Sequence, residues 1–313
     1  MRVILKSGGN LESETVPEMN ATAPISVIIP HHNRSHLIER AISSILCQPL
    51  QPLEILIVDD GSTPEHVAAL QQHSGIARII RLEKNGGAAR ARNAGIAAAK
   101  GEFVAFLDDD DEWFPERLEL QWNIIRGDPS LQAVAGAMTI RYQDGSEELL
   151  LSHSPRIMTI QTALEGTPAM LQTLLIRTAA IRALGGFDPA FTIMEDWEFW
   201  IRFTVAGLRA YYLQQPLARL ERSDMQRLTR NWQRYVAMEL KVVDKHAALY
   251  ESVRGEGAAR LERSKILRRA GIRKGSITGR LAYASGCLIG GEWGSLTHLL
   301  TTARMTEVPY TRG

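Results

Sequence analysis

Cysteine is nearly absent from this chain: Cys47 and Cys287 are the two in 313 residues. They stand far apart with no C-x-x-C spacing, and both fall in apolar helical patterns, which predicts reduced core thiols in a cytosolic protein rather than a disulfide. No segment reaches the roughly 18 consecutive apolar residues of a membrane-spanning helix. Residues 1–23 lack the unbroken apolar core of a signal peptide and read as a loose tail. An excess of charge is missing as well. With 36 basic and 35 acidic residues the net charge is +1, so nothing global points to nucleic acid. No internal repeat and no low-complexity tract occurs. What remains is ordinary globular composition, 45% hydrophobic and 23% charged, enough for one large domain or a domain with an appendage.

The most informative stretch is Gly101 to Trp113, Gly-Glu-Phe-Val-Ala-Phe-Leu-Asp-Asp-Asp-Asp-Glu-Trp. Phe103 to Leu107 has the length and the aromatic and β-branched content of a buried strand, and four carboxylates follow it. The acids therefore sit at a strand's C-terminal end, where ligands bind in an open α/β sheet. Like charges crowded there repel, and a divalent cation carried by a phosphorylated ligand would relieve them. The plain structural alternative is a solvated turn that caps the next helix, with Pro115 in its first turn.

The preceding residues build toward the same edge. Ile25 to Pro30 reads as a central parallel strand, apolar almost throughout. The polar turn His31-His32-Asn33-Arg34 leads to a helix with Leu37, Ile38, Ala41, Ile42, Ile45 and Leu46 on one stripe. Leu53 to Val58 is a second buried strand ending in Asp59-Asp60-Gly61-Ser62, which makes a right-handed βαβ unit. A helix over Pro64 to Gln72 and a strand over Ala77 to Leu82 come next. From Ala88 to Lys100 an alanine-rich helix carries Arg90, Arg92 and Asn93 near its start. Cations disfavour that end of a helix dipole, and a bound pyrophosphate would resolve the conflict. Simple solvation of both arginines is the alternative.

Beyond the acids, Pro115 to Arg126 reads as a helix with Leu118, Trp122 and Ile125 on one face. Ala133 to Tyr142 and Glu147 to Leu151 form a hairpin about Asp144-Gly145. The pattern is mixed after Pro155, then gives a strand over Thr173 to Arg177 and a helix over Ala179 to Leu184. Trp197, Trp200, Ile201 and Val205 make the apolar stripe of a core-facing helix whose first turn holds Glu195 and Asp196. Capping explains one acid; two in tandem beside aromatics suit a general base. Ala210 to Leu220 is a last strand, with Pro216 marking an edge or a bulge. From Asn231 the chain is helical and broken at Gly255 to Gly257. Arg260, Arg263, Lys265, Arg268, Arg269, Arg273, Lys274 and Arg280 then cluster, opposed within the stretch by Glu262 alone. A solvated face is the simple reading, and peripheral contact with an anionic membrane through these helices and Leu281 to Leu300 is the functional one.

Ile25 to Asn33, Glu54 to Ser62, Asn85 to Gly95 (Asn-Gly-Gly-Ala-Ala-Arg-Ala-Arg-Asn-Ala-Gly) and Phe103 to Asp111 together resemble the successive blocks of family 2 glycosyltransferases. Glu195-Asp196 followed by aromatics is similar to that family's later acidic motif, so the resemblance reaches about residue 220. It implies an α/β GT-A fold, with a Rossmann-like, mostly parallel central sheet flanked by helices. The expected division is a tail at 1–23, a GT-A domain at 24–225 and a helical C-terminal extension at 226–313. Within the domain, 24–112 is the nucleotide-sugar half and 113–225 the acceptor half. By the same resemblance Asp60 reads the nucleobase, uridine by default, and Pro30 to His32 packs on it. The donor-binding set is Pro30, His32, Asn33, Asp59, Asp60, Gly61, Ser62, Arg90, Arg92, Asn93, Asp108 and Asp109. The Asp108-x-Asp110 pair meets the ribose and the metal, with Asp110 the first choice of metal ligand and Asp108 beside it, and Asp109 is the alternative to Asp108 in the ribose role. Asp196 matches the inverting base, with Glu195 next to it. Many members carry a histidine near a serine after the last strand; Leu220-Glu221-Arg222-Ser223-Asp224 departs from that pattern.

The expected protein is an inverting transferase that moves a sugar from a nucleotide-diphosphate donor to a glycan or lipid-linked acceptor, using Mn²⁺ or Mg²⁺. Its expected place is the cytosol, with the inner membrane face as the site of any peripheral contact. A sugar nucleotidyltransferase is a rival, but it needs a Gly-rich, Lys- or Arg-bearing grip on a triphosphate, and His31-His32-Asn33-Arg34 is not one. A catalytically silent nucleotide- or glycan-binding module is the other.

Overall fold

The protein is described here from a computed structural model, in residues 22–150, 157–221 and 232–274. Among them nine strands form one sheet in the order β3-β2-β1-β4-β8-β6-β9-β5, with β7 paired to β6. The apolar runs become the middle of that sheet. β1 (Thr22–His31) lies between β2 (Gln51–Asp60) and β4 (Phe103–Phe106), and β3 (Arg78–Leu82) closes one edge; all four are parallel. The short β8 (Leu175–Arg177) runs antiparallel to both β4 and β6 (Leu131–Arg141) and so carries the sheet from one half to the other. β6 pairs with β9 (Arg209–Glu221) in parallel and with β7 (Glu147–Leu150) as the expected hairpin. Pro216 marks a bulge, since the β6–β9 register shifts on both sides of its partner Ala137. β5 (Glu112–Trp113), which the sequence pattern did not reveal, pairs with the end of β9.

Helices cover both faces. α1 (Ile38–Leu46) and α4 (Arg117–Gly127) pack on one, with Ile38, Ala41, Ile42, Ile45, Leu118 and Ile125 buried there, while α2 (Pro64–Leu70) lies beside β3. α3 (Ala88–Ala98), α5 (Ile160–Glu165), α6 (Thr178–Ala183) and α7 (Glu195–Val205) pack on the other. α3 sits close because Gly95 faces β1: a Cβ there would come within 2.5 Å of Ile28 Cγ2. Three further helices, α8 (Trp232–Lys245), α9 (Ala247–Arg254) and α10 (Ala258–Lys274), add Val242, Val243, Tyr250 and Ile266 to the core of α7. Glu198 of α7, fully buried, bonds Arg202 at 2.9 Å and Lys245 of α8 at 2.5 Å. Burial alone would raise its pKa, but His246, Arg202 and Lys245 outweigh that and hold it down at about 2.

Some expectations change. Cys47 is exposed at the end of α1 rather than a core thiol, and Val205 and Leu46 are exposed at the ends of their stripes. The basic residues of α10 are opposed by more than Glu262, because α8 brings Asp244 to Arg263 at 2.6 Å and Glu239 to Arg269 at 3.3 Å. Most of the tail at 1–23, the stretch Arg222 to Asp224, Arg280, Leu281 to Leu300 and Cys287 lie outside the described residues. Among the described residues no helix is long and apolar enough to cross a membrane.

Candidate active site

The C-terminal ends of β1, β2 and β4 and the first turns of α3 and α7 meet along one sheet edge. At the end of β2 the chain must turn sharply. Gly61 does so at φ +71°, where a Cβ would also fall 2.7 Å from the Asn85 amide nitrogen. That close approach lets the Asp60 carboxylate accept the backbone N–H groups of Gly86 (2.9 Å) and Gly87 (2.7 Å), locking the loop before α3 against β2. Asp59 points to the opposite face and accepts the Ser62 N–H at 3.1 Å. Asn33, left-handed at φ 54°, joins the β1 and β2 turns: its N–H donates to Ser62 Oγ and its Oδ1 accepts from Thr63, both at 2.9 Å. Such a backbone conformation in a non-glycine residue costs free energy and tends to occur at functional sites. Pro30 is buried beneath this turn and His32 is half-buried beside it.

The acid run follows β4. Asp108 and Asp110 are half-buried, and Asp109 and Asp111 are buried. Asp109 accepts from His31 Nδ1 at 2.8 Å and pairs with Arg34 at 2.5 Å. Arg34 also donates to Asp110 at 2.6 Å, and Arg40 donates to the Asp110 carbonyl. Burial raises the Asp110 pKa to about 6; Arg34 opposes that rise, and Asp108 and Asp109 add to it. Asp111 is pushed up in the same way, first by burial and then by Asp108 and Asp110.

Asp108 is tied to α7. Arg92, only 4% exposed, donates to Asp108 Oδ1 at 2.6 Å and to Glu195 Oε1 at 2.7 Å, while Gln172 Nε2 donates to Asp108 Oδ2 at 2.6 Å. Asp196 follows Glu195 and accepts its neighbour's N–H, from Trp197, at 2.7 Å. Met194, just before them, is left-handed at φ 68°. Burial, then the Glu195 charge, raise the Asp196 pKa to about 7, with the Trp197 N–H and Arg92 acting against them. Trp197 and Trp200 are buried behind the two acids, their indole N–H groups held by the carbonyls of Ala163 and Ala169.

The structure thus joins Asp108 to Glu195 through Arg92 and Asp109 to Asp110 through Arg34, and sets Asp60 on the same edge two strands from β4. Asn93 spends its amide on the backbone. Its amide nitrogen donates to the Phe187 carbonyl at 2.7 Å and its oxygen accepts the Phe187 N–H at 2.8 Å, so this side chain holds the Gly186–Phe187 turn. Arg90 is exposed, lies over Gly86 and has no ion pair among the described residues. Sequence reasoning missed His31, Arg34, Arg40 and Gln172 as partners of the acids. The first two lie in a turn already singled out, whereas nothing near Gln172 marks it. A groove of about 620 Å³ between α2 and β2–β3 reaches this site only through Asp59 and holds none of the acids at 108–110 or 195–196.

Among the described residues no three His, Cys, Asp or Glu side chains are grouped to hold a metal by themselves. A hard divalent cation needs one or two carboxylates when substrate phosphates complete its shell, and Asp110 with Asp108 could supply them. Burial lifts Asp110 first, and the repulsion that Asp108 and Asp109 add to it is what a cation there would relieve.

The family described as "Glycosyl transferase family 2" matches residues 26–182, half of the chain. The chain is 32% identical over 200 residues to TuaG of Bacillus subtilis, provisionally named a teichuronic acid biosynthesis glycosyltransferase, covering 62% of this chain and 77% of TuaG. It is 29% identical over 186 residues to WfgD of Escherichia coli, named a UDP-Glc:alpha-D-GlcNAc-diphosphoundecaprenol beta-1,3-glucosyltransferase, covering 56% and 68%. In fold it is similar to residues 1–349 of S. aureus TarS in complex with UDP-GlcNAc, with a TM-score of 0.63, 18% identity and coverage of 84% of this chain and 79% of that one.

Proposed function

The chain belongs to glycosyl transferase family 2, and from that premise we propose that it is an inverting transferase of a sugar from a UDP-sugar to a glycan or lipid-linked acceptor. The observation that carries this reading is the Arg92 bridge, which joins the acids after β4 to the acids that open α7. WfgD is named for a UDP-glucose donor and a diphosphoundecaprenol-linked acceptor, and TarS was solved in complex with UDP-GlcNAc; both support a UDP-sugar, and WfgD supports the coarse acceptor class. Residues 24–112 would hold the nucleotide and 113–225 the acceptor, with 226–313 as an appended helical part.

In this reading Asp60 stays with the Gly86 and Gly87 amides and shapes the floor on which the base lies. Arg90, exposed and free of carboxylates, meets the diphosphate from the first turn of α3, where the dipole also favours anions. Asp108 lies at the ribose and beside Asp110, which would hold Mn²⁺ or Mg²⁺, while Asp109, buried between His31 and Arg34, supports them from below. That cation supplies charge neutralisation for the departing nucleoside diphosphate. Asp196, half-buried against Trp197, takes the proton of the acceptor hydroxyl as its oxygen attacks the anomeric carbon from the face opposite the leaving group. One displacement then inverts that carbon, and no sugar becomes attached to the protein. A base with a pKa of about 7 matches that task near neutral pH.

The test is a thermal-shift panel of nucleotide sugars with Mn²⁺, followed by transfer assays with the donors that bind. A ligand at a hundred times its dissociation constant stabilises by about 2.7 kcal/mol. A chain stabilised by no uridine nucleotide would remove this reading, and one that binds donors but never turns them over would be a binding module instead.

A further inference from the structure

Resting on the reading of Asp196 as the acceptor base, we infer that Arg92 is a positioning residue that governs that base through Glu195, is anchored by Asp108 and Gln172, and does not meet the donor phosphates. The sequence alone pairs Arg92 with Arg90 as phosphate ligands, but residues two apart on a helix do not share a face. Here they differ completely. Arg90 is exposed and lies over Gly86, whereas Arg92 turns inward and is 4% exposed. Both terminal nitrogens of Arg92 are engaged by carboxylates, at 2.6 and 2.7 Å. Its Nε is buried without a partner and its side chain is 5% exposed, so the guanidinium is turned into the protein and held there by the two carboxylates.

The anchoring runs through three further elements. Asp108 closes β4, and its second oxygen is held by Gln172 from the turn before β8. Glu195 opens α7. Arg92 therefore fixes the first turn of α7 against the end of β4, and with it the place of Asp196. The charged groups that face Asp196 are Glu195 on its own helix and Arg92 from α3, with Asp108 behind Arg92. Two adjacent half-buried carboxylates cannot both ionise easily without a cation beside them. Arg92 is that cation: paired to Glu195, it lets Asp196 shed its proton and stand ready to accept one from the acceptor.

The test uses the full chain and two readouts. Carbon-13 NMR follows the titration of the Asp196 carboxyl, assigned by its loss in Asp196→Asn, and calorimetry measures the affinity for UDP without metal, because Asp108, which Arg92 holds, stands beside the proposed metal ligand. Arg92→Gln should raise the Asp196 midpoint by about one pH unit or more, a tenfold change in its ionisation equilibrium. Glu195→Gln should lower the midpoint, and it decides the matter if Arg92→Gln does not fold. UDP affinity should change by less than about twofold in each variant, under 0.5 kcal/mol on the scale where tenfold is about 1.4 kcal/mol. An Asp196 midpoint that stays put in the folded variants, or UDP affinity falling about tenfold in Arg92→Gln, would overturn the inference. Loss of turnover in Asp196→Asn tests the base separately. A dead Asp196→Asn together with an unmoved Asp196 midpoint in Arg92→Gln and Glu195→Gln removes the inference and keeps the proposed reaction.

Discussion

Arg92 and Glu195 meet at 2.7 Å although 103 residues of chain separate them. The contact makes one site out of two motifs, because the same guanidinium holds Asp108 at the end of β4. Residues 24–112 contribute α3 and the acid run, and residues 113–225 contribute α7.

The pH dependence follows from Asp196. Transfer needs its ionised form, so kcat should rise with pH along a limb centred at about 7 and then level off. Stability should move the other way. The folded pKa is raised from 3.8 to about 7, so the folded protein binds this proton more tightly than the unfolded chain. Ionising the group then costs stability, by nothing below about pH 4, increasingly between about 4 and 7, and fully above. Asp196→Asn removes that cost and should melt higher than the parent at about pH 8, with the two converging near pH 4. Rate profiles and melting curves across that window check both halves.

Asp110→Ala should abolish cation-dependent transfer. Titrating Mn²⁺ against initial rate is expected to give saturation in the parent and a flat response in the variant. Arg34, paired with Asp110, keeps its contact with Asp109 in the variant, and UDP affinity in the absence of metal should change much less than the rate. A variant with parental metal dependence would move the cation elsewhere.

Asn93→Ala separates a scaffold role from a ligand role. The two bonds from this side chain to the Phe187 backbone are lost, and leaving buried partners unsatisfied costs about 1–3 kcal/mol. Chemical denaturation should show that loss. UDP affinity in the folded variant should stay within about twofold of the parent, a difference under 0.5 kcal/mol where tenfold is about 1.4 kcal/mol; a large drop would return Asn93 to the donor site.

The parallel strands and the acid-rich edge were legible in the sequence because short-range signals encode them. Apolar runs of strand length ended in Asp59-Asp60 and in Asp108 to Asp111, and α/β topology sends such ends to one side. What could not be read were pairings that only tertiary structure makes. Nothing near Gln172 announces that it will meet Asp108, and Arg92 resembled its neighbour Arg90 until α7 was packed against α3. Asn93 lies within a motif block yet bonds the backbone of Phe187, 94 residues on. Cys47 has helical apolar neighbours, but it falls where α1 ends and the chain turns to solvent. The basic run in α10 looked unopposed because Glu239 and Asp244 belong to another helix.

The most direct test of the account is Asp196→Asn measured for transfer and for donor binding in the same preparation. The account predicts that kcat falls by about 10²–10⁴, the usual contribution of a positioned base, while the thermal shift produced by the bound UDP-sugar stays near the parental value. Full turnover in that variant would contradict it.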